Sequence, residues 1–291
     1  MSIFGHNSPA AAPSRKRPWL NAPMQEKPLP SLAVVTGAAG GMGSAVAAQL
    51  CAQGWSLLLC DLDAARLEEI ARPLRGKGVD VEVLVGDLAD RAYPARLIST
   101  LGRRQVGALI HTAGLSPTMG DAARIFAVNY DATARLVEAM RPRMAEGGCA
   151  VLISSSSAHL LSSPEIDLAL NELKAGDDST SLLKFATRPE LAYPISKRAV
   201  IRLVAREATA FGARKARIVS VSPGLIDTRM SHAEQAASSQ MSAMLAQTPL
   251  GRLGLADEIA TVAVFLCSPG ASYVSGCDIR VDGGMLAALG R

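Results

Sequence analysis

From residue 31 onward, short aliphatic runs alternate with longer Ala/Leu/Arg-rich stretches of helical length. The runs Leu32 to Thr36, Ser56 to Asp61, Val81 to Gly86, Ala108 to Thr112, Ala150 to Ser154, Arg217 to Ser222 and Asp278 to Val281 read as seven strands. They are near-continuously apolar, as strands buried on both faces are. Strands alternating with helices imply an α/β fold: a doubly wound, parallel seven-stranded sheet with helices on both faces and right-handed crossovers. In such a sheet ligands bind beyond the carboxyl ends of the strands, so the residues just after each strand carry the chemistry.

One segment departs from this rhythm. Thirty-seven residues separate Ser155 from Tyr193, where a short loop would suffice. Ser162-Ser163-Pro164-Glu165 predicts a helix start with a capping box, after which Ile166, Leu170 and Leu173 share one face up to Gly176. A second short helix is expected from Asp178 towards Arg188, ended by Pro189. The segment, about 160–190, reads as an inserted helical hairpin.

Composition narrows the classes. A length of 291 residues suits one large domain over 31–291, or at most two small ones. Residues 1–30 hold six of the sixteen prolines and no hydrophobic period, and read as a flexible extension. That extension carries Arg15, Lys16, Arg17 and Lys27 against Glu26, which is +3 of the net +4. The remainder is nearly neutral, which argues against a nucleic-acid partner. No apolar run approaches the length of a membrane span. The extension lacks acidic residues before Glu26, as organellar transit peptides do, but Pro9, Pro13, Pro18 and Pro23 would break an amphipathic helix. Five cysteines without CxxC spacing (Cys51, Cys60, Cys149, Cys267, Cys277) read as reduced core residues of a cytoplasmic protein. No histidine has metal-ligand spacing.

After the first strand comes Thr36-Gly37-Ala38-Ala39-Gly40-Gly41-Met42-Gly43. Glycine permits positive φ and close backbone approach where amides and a helix N-terminus face a pyrophosphate; an ordinary Gly-rich turn is the alternative. Eighteen residues past Gly43, the second strand ends at Asp61. A carboxylate there accepts hydrogen bonds from a ribose diol; capping the helix near Asp63 is its other reading. Asp61 would repel a 2′-phosphate, and the turn has no Arg or Lys to receive one, so NAD is expected over NADP. Asp87 after the third strand either binds the adenine edge or caps the next helix. His111-Thr112-Ala113-Gly114 after the fourth strand is a small-residue turn suited to passing near a cofactor, with His111 itself read as a packed strand residue.

Tyr193-Pro194-Ile195-Ser196-Lys197 places a phenol and an ammonium four apart, on one helix face. Removing a hydroxyl proton near neutral pH is hard for a free tyrosine with a pKa near 10. Lowering it by about three units takes roughly 4 kcal/mol. A cation some 4 Å away at an effective dielectric near 20 offers about that much. The alternatives are a surface lysine and a half-buried tyrosine at a helix start. Pro194 is expected in the helix's first turn, where a missing N–H costs little.

Taken together, TGAAGGMG, Asp61, Asp87, the HTAG turn where NNAG is common, Val128-Asn129, Ile153-Ser154-Ser155, YPISK and Pro223-Gly224-Leu225-Ile226-Asp227-Thr228 resemble the short-chain dehydrogenase/reductase family over nearly all of 31–291. The resemblance implies a single-domain Rossmann fold and an NAD-dependent enzyme interconverting a secondary alcohol and a ketone. It implies that Ser155 (or its neighbours Ser154 or Ser156) hydrogen-bonds the substrate oxygen, Tyr193 transfers the proton, Lys197 also holds the nicotinamide ribose and Asn129 anchors a water in the relay. Cofactor contacts implied are Thr36, Gly37, Gly41, Met42, Gly43, Asp61, Leu62, Asp87, Leu88, Thr112, Ala113, Gly114, Tyr193, Lys197, Pro223, Gly224, Ile226 and Thr228, the last two on the carboxamide. It further implies a homodimer or homotetramer and no metal.

A narrower resemblance, to bacterial 3α-hydroxysteroid dehydrogenase/carbonyl reductases, rests on Ile-Ser-Ser-x-x-Ala-His-Leu, the inserted stretch, Leu191-Ala192-Tyr193, Ser268 to Val274 and Asp282-Gly283-Gly284. It implies hydroxysteroid or other cyclic or aryl carbonyl substrates. Imine reduction and non-catalytic NAD sensing are the alternatives. Segment 229–248, with Met230, Met241, Met244 and Leu245, is expected to form a substrate lid or plain core. His159 reads as a loop histidine or a pocket wall.

Overall fold

A computed structural model describes residues 32–161, 163–173, 178–228 and 240–291, with the side chains of 240–242 excepted. The N-terminal extension, Met230 and Gly176 lie outside the described residues. Seven parallel strands form one sheet: β1 (Leu32–Thr36), β2 (Ser56–Asp61), β3 (Val81–Val85), β4 (Val106–His111), β5 (Met144–Ile153), β6 (Arg217–Pro223) and β9 (Asp278–Val281), in the order β3-β2-β1-β4-β5-β6-β9. Two short strands, β7 (Ile226–Asp227) and β8 (Gly254–Leu255), pair separately. All seven predicted strands are present, with β5 reaching further back than expected, to Met144.

Alternate residues of each strand feed two cores. Val34, Leu58, Leu109 and Leu152 face α3 (Tyr93–Leu101), α5 (Thr133–Met140) and α8 (Pro189–Gly212). Val35, Leu57, Leu59, Ile110 and Val151 face α1 (Gly41–Ala52), α2 (Ala64–Arg75) and α10 (Ala256–Cys267). Burial on both faces is why these strands read as unbroken apolar runs rather than as alternating ones. Strand order reverses at β1, whose neighbours are β2 and β4. The crevice beyond β1 and β4 is therefore where a ligand fits, and it is where the glycine-rich turn and the 112–114 turn emerge.

The insertion differs from expectation in three ways. Helix α7 (Pro164–Glu172) is capped by the Ser163 hydroxyl, which accepts from Ile166 N at 3.3 Å. That puts Ile166, not Glu165, at the third helical position, so no capping box forms. The expected second helix is a single 3₁₀ turn, Ser179–Leu182, started by Asp178. Pro189 does not end a helix; it opens α8, where its fixed φ and missing N–H suit the first position. Consequently Pro194 lies in the second turn of α8 rather than the first, and the helix forgoes one main-chain bond beside Tyr193. Of the residues read as sharing one face, Leu170 and Leu173 are buried and Ile166 is half-buried, with Leu173 just past the helix end. The five cysteines are free thiols, four of them buried; Cys277 is exposed rather than a core residue.

Candidate active site

The glycine turn is shaped by contacts that admit no side chain. Gly37 has φ +72°, and a Cβ on it would sit 2.6 Å from Ala113 N. A Cβ on Gly43 would lie 2.1 Å from the Gly37 carbonyl, and one on Gly41 3.2 Å from Thr228 Cγ2. Thr112 closes the crevice from β4, its hydroxyl donating to the Thr36 carbonyl at 2.9 Å and approaching the Gly37 carbonyl at 3.2 Å. Helix α1 begins at Gly41, and its cap residue Gly40 offers no side chain, so no side chain caps its first-turn amides.

Asp61 ends β2 beside this turn. One carboxylate oxygen accepts from Ala39 N at 2.9 Å and the other from Asp63 N at 3.1 Å. Each oxygen retains acceptor capacity for a hydroxyl. The helix-capping alternative is excluded, because Asp63 caps α2 through Arg66 N. Leu62, 64% exposed, projects an apolar side chain into solvent next to it. Residues Met42 and Leu88 are half-buried against the two cores.

Asp87 neither caps α3, whose cap position is Ala92, nor stands open. It accepts from Ala89 N at 2.8 Å and pairs with Arg124 at 2.7 Å. Desolvation opposes its ionisation, but the Arg124 guanidinium and the Ala89 amide outweigh it and hold the carboxyl below its usual range. On the far side, Pro223 and Ile226 are buried. A Cβ on Gly224 would meet Asp282 Cα at 2.7 Å, so this turn also requires glycine.

The catalytic candidates converge at the ends of β4 and β5. Lys197, 5% exposed, donates to the Ile153 carbonyl at 3.0 Å, and its ammonium lies 5.9 Å from the Tyr193 ring centre. Burial lowers its pKa from 10.5 to about 8. An ammonium this near the ring favours the phenolate, whose charge lies on the oxygen beyond the ring centre.

The four-serine run resolves into distinct roles. Ser154 is buried and its hydroxyl donates to the Lys197 carbonyl at 2.8 Å, bolting β5 to α8. Ser156 is buried, with its amide on the Pro223 carbonyl. Ser155 is half-buried, and its oxygen accepts from Ser157 N at 3.2 Å and the Ser157 hydroxyl at 2.9 Å. Two donors on Oγ leave its own hydrogen for a third partner, as donation to a carbonyl oxygen requires.

Asn129 sits in a π-helical turn (Ala127–Ala132) between α4 (Ala122–Phe126) and α5. Its amide grips the main chain of Leu115 from both sides, accepting from N at 2.7 Å and donating to O at 3.0 Å, and also reaches Ser196 Oγ at 3.2 Å. Gly114 packs closely here: a Cβ on it would be 3.1 Å from Lys197 Nζ and 3.2 Å from Asn129 Oδ1.

His159 does not line the site. It lies in α6 (Ser157–Leu160) and binds Asp278 at 2.9 Å. Half-buried Met244 and Leu245 belong to α9 (Gln240–Gln247). Arg198, which carried no signal beyond following Lys197, makes two 2.6 Å bonds to Asp167 of α7 and donates to the carbonyls of Ala158 and Leu161, tying the insertion to α6 and α8. The Ile153 carbonyl and Ser157 were equally invisible in sequence, since main-chain acceptors leave no residue signature.

Among the described residues no group of metal-ligating side chains occurs, and no helix is long and apolar enough to cross a membrane.

Known proteins share this fold. Residues 31–164 match the family described as short chain dehydrogenase, and 178–286 match one described as Enoyl-(Acyl carrier protein) reductase. The chain is 33% identical to short-chain dehydrogenase/reductase bsc3 of Alternaria brassicicola, across 90% of this chain and 97% of that one. It is 31% identical to a galactitol 2-dehydrogenase (L-tagatose-forming) of Cereibacter sphaeroides, across 87% and 93%. A short-chain type dehydrogenase/reductase from Mycobacterium ulcerans superposes with a TM-score of 0.71 at 27% identity, covering 88% of this chain and 90% of that one. These matches, with the sheet order and the glycine turn, show that the chain belongs to the short-chain dehydrogenase/reductase family.

Proposed function

We propose that the protein is an NAD(H)-dependent oxidoreductase interconverting a secondary alcohol and a ketone, with Tyr193 as its acid/base. The observation that carries this is the buried Lys197 ammonium, fixed on the Ile153 carbonyl and 5.9 Å from the Tyr193 ring centre, with Ser155 following at the end of the same strand.

The crevice fits a dinucleotide. The glycine turn would hold the pyrophosphate, Asp61 the adenosine ribose, and Lys197 the second ribose. Asp87 and Leu88 would lie along the adenine, and Ile226 and Thr228 would take the carboxamide. A bound nicotinamide supplies the hydride acceptor and a positive charge. Ser155 donates to the substrate oxygen and orients it. Tyr193 takes the hydroxyl proton on its phenolate oxygen, and returns it in the reductive direction. Lys197 stabilises that phenolate, and Asn129 fixes the turn on which Gly114 passes the ammonium.

The carboxylate at Asp61 favours NAD over NADP, although a fold neighbour from Burkholderia cenocepacia, 23% identical, is seen in complex with NADP. Hydroxysteroids and other cyclic or aryl carbonyls are the first substrates to test. The galactitol 2-dehydrogenase relative adds polyols, with imines next. We read the protein as a cytoplasmic homodimer or homotetramer. An NADH-absorbance screen across these classes tests the function. Turnover in the wild type that survives in Tyr193→Phe would refute it, as would failure of every alcohol, ketone and imine tried.

A further inference from the structure

His111, read from sequence as a packing residue, is 2% exposed but polar on both sides. Its Nδ1 lies 2.6 Å from Thr36 Oγ1 and its Nε2 2.7 Å from Thr133 Oγ1. The direction of this chain is fixed by its last link. Thr133 donates its only hydroxyl hydrogen to the Asn129 main-chain carbonyl at 2.9 Å, so its oxygen must accept from His111 Nε2–H. Nδ1 then bears no hydrogen and accepts from Thr36. Burial first, and the Lys197 charge second, hold the imidazole neutral, with its pKa lowered to about 3.

The chain therefore runs from the residue that opens the glycine turn, through β4, to the π turn. Asn129 also clasps Leu115 with its side chain. Residues 112–114 are thus suspended between two points held by Asn129: His111, through Thr133, and Leu115 directly. The suspended turn is the one packed on the lysine, where a Cβ on Gly114 would come within 3.1 Å of Nζ.

We propose that His111 is a positioning residue: its single neutral tautomer, acting through Thr133, holds the Asn129 carbonyl and the 112–114 turn closed over Lys197. The inference rests on the function proposed above for its effect on turnover, but not for its effect on the lysine.

The test uses Thr133→Val, which removes the relay hydroxyl without touching the crevice, and Thr133→Ser, which restores it. The Lys197 ammonium is followed by NMR of the lysine-labelled protein without substrate; the titratable neighbours are Tyr193 on its own helix and His111 from β4. In the wild type burial is expected to hold its midpoint below the ordinary 10.5, at about 8. In Thr133→Val the loosened turn admits water and the midpoint rises by about one unit, because hydration favours the charged form; Thr133→Ser returns it. Turnover in Thr133→Val falls about tenfold and the coenzyme KM rises with it, because the 112–114 turn and Lys197 also face the coenzyme, and Thr133→Ser restores both. If Thr133→Val fails to fold, His111→Asn breaks the same link and should reproduce both effects. An unmoved lysine midpoint, or no rescue by serine, overturns the proposal. A moved midpoint in a protein that oxidises no alcohol would sustain the relay and refute the function instead.

Discussion

The Lys197 ammonium and the Tyr193 ring centre are 5.9 Å apart on one face of α8, and the lysine is pinned by the Ile153 carbonyl rather than by a carboxylate. A neutral acceptor leaves its full positive charge to act on the phenol. Tyr193→Phe should keep the fold and coenzyme binding while lowering kcat by about 10²- to 10⁴-fold, the usual share of a positioned acid/base. Steady-state rates and NADH binding by fluorescence check both halves.

Burying that charge costs stability, and the cost has a defined pH window. The folded-state pKa of Lys197 lies near 8, below its ordinary 10.5. Below pH 8 both folded and unfolded lysine are charged and the penalty is complete, about 3 kcal/mol from the shift. Between 8 and 10.5 the folded lysine loses its proton first and the penalty fades. Lys197→Met abandons the hydrogen bond to Ile153, which returns about 1 kcal/mol of the gain. The variant should therefore be inactive yet more stable than the wild type by about 2 kcal/mol at pH 7, with the advantage gone by pH 10.5. Urea unfolding at both pH values decides this.

Neighbouring serines should separate activity from stability. Ser155→Ala removes the hydroxyl whose hydrogen is left for substrate, and is expected to lower kcat about a hundredfold with an unchanged melting temperature. Ser154→Ala removes a buried bond to the Lys197 carbonyl, which keeps its helical partner, and should cost about 1 kcal/mol of stability with smaller loss of turnover. Equal effects of the two on kcat would reverse the assignment.

Asp61 both ties the glycine turn, through Ala39 N, and presents negative charge at the end of β2. Like charges about 5 Å apart at a dielectric near 20 repel by about 3 kcal/mol. Asp61→Ala should raise kcat/KM with NADP by about tenfold or more and weaken NAD use. If the wild type uses both coenzymes equally, the carboxylate has no such role.

How much of this was legible in the chain differs by element. All seven strands could be read because burial on both faces makes them continuous apolar runs, and the glycines could be read because contacts as close as Gly43 to the Gly37 carbonyl tolerate no side chain. Helix boundaries in the insertion were misread where one proline has two meanings: Pro189 ends a segment or begins one, and only the packing of α8 chooses. His159 looked close to Ser155 along the chain, but α6 turns it towards Asp278. Asp87 gained a partner, Arg124, thirty-seven residues away that no local pattern marks.

By itself, then, the sequence determined the parallel sheet of seven strands and the types of residue set at the strand ends, since periodicity and residue chemistry are local properties. Tertiary structure alone decided which of four serines keeps a free hydrogen, that Lys197 leans on a main-chain carbonyl, and that His111 bridges the glycine turn to Asn129. Those are distances between atoms far apart in the chain, and they exist only once both cores have closed around the sheet.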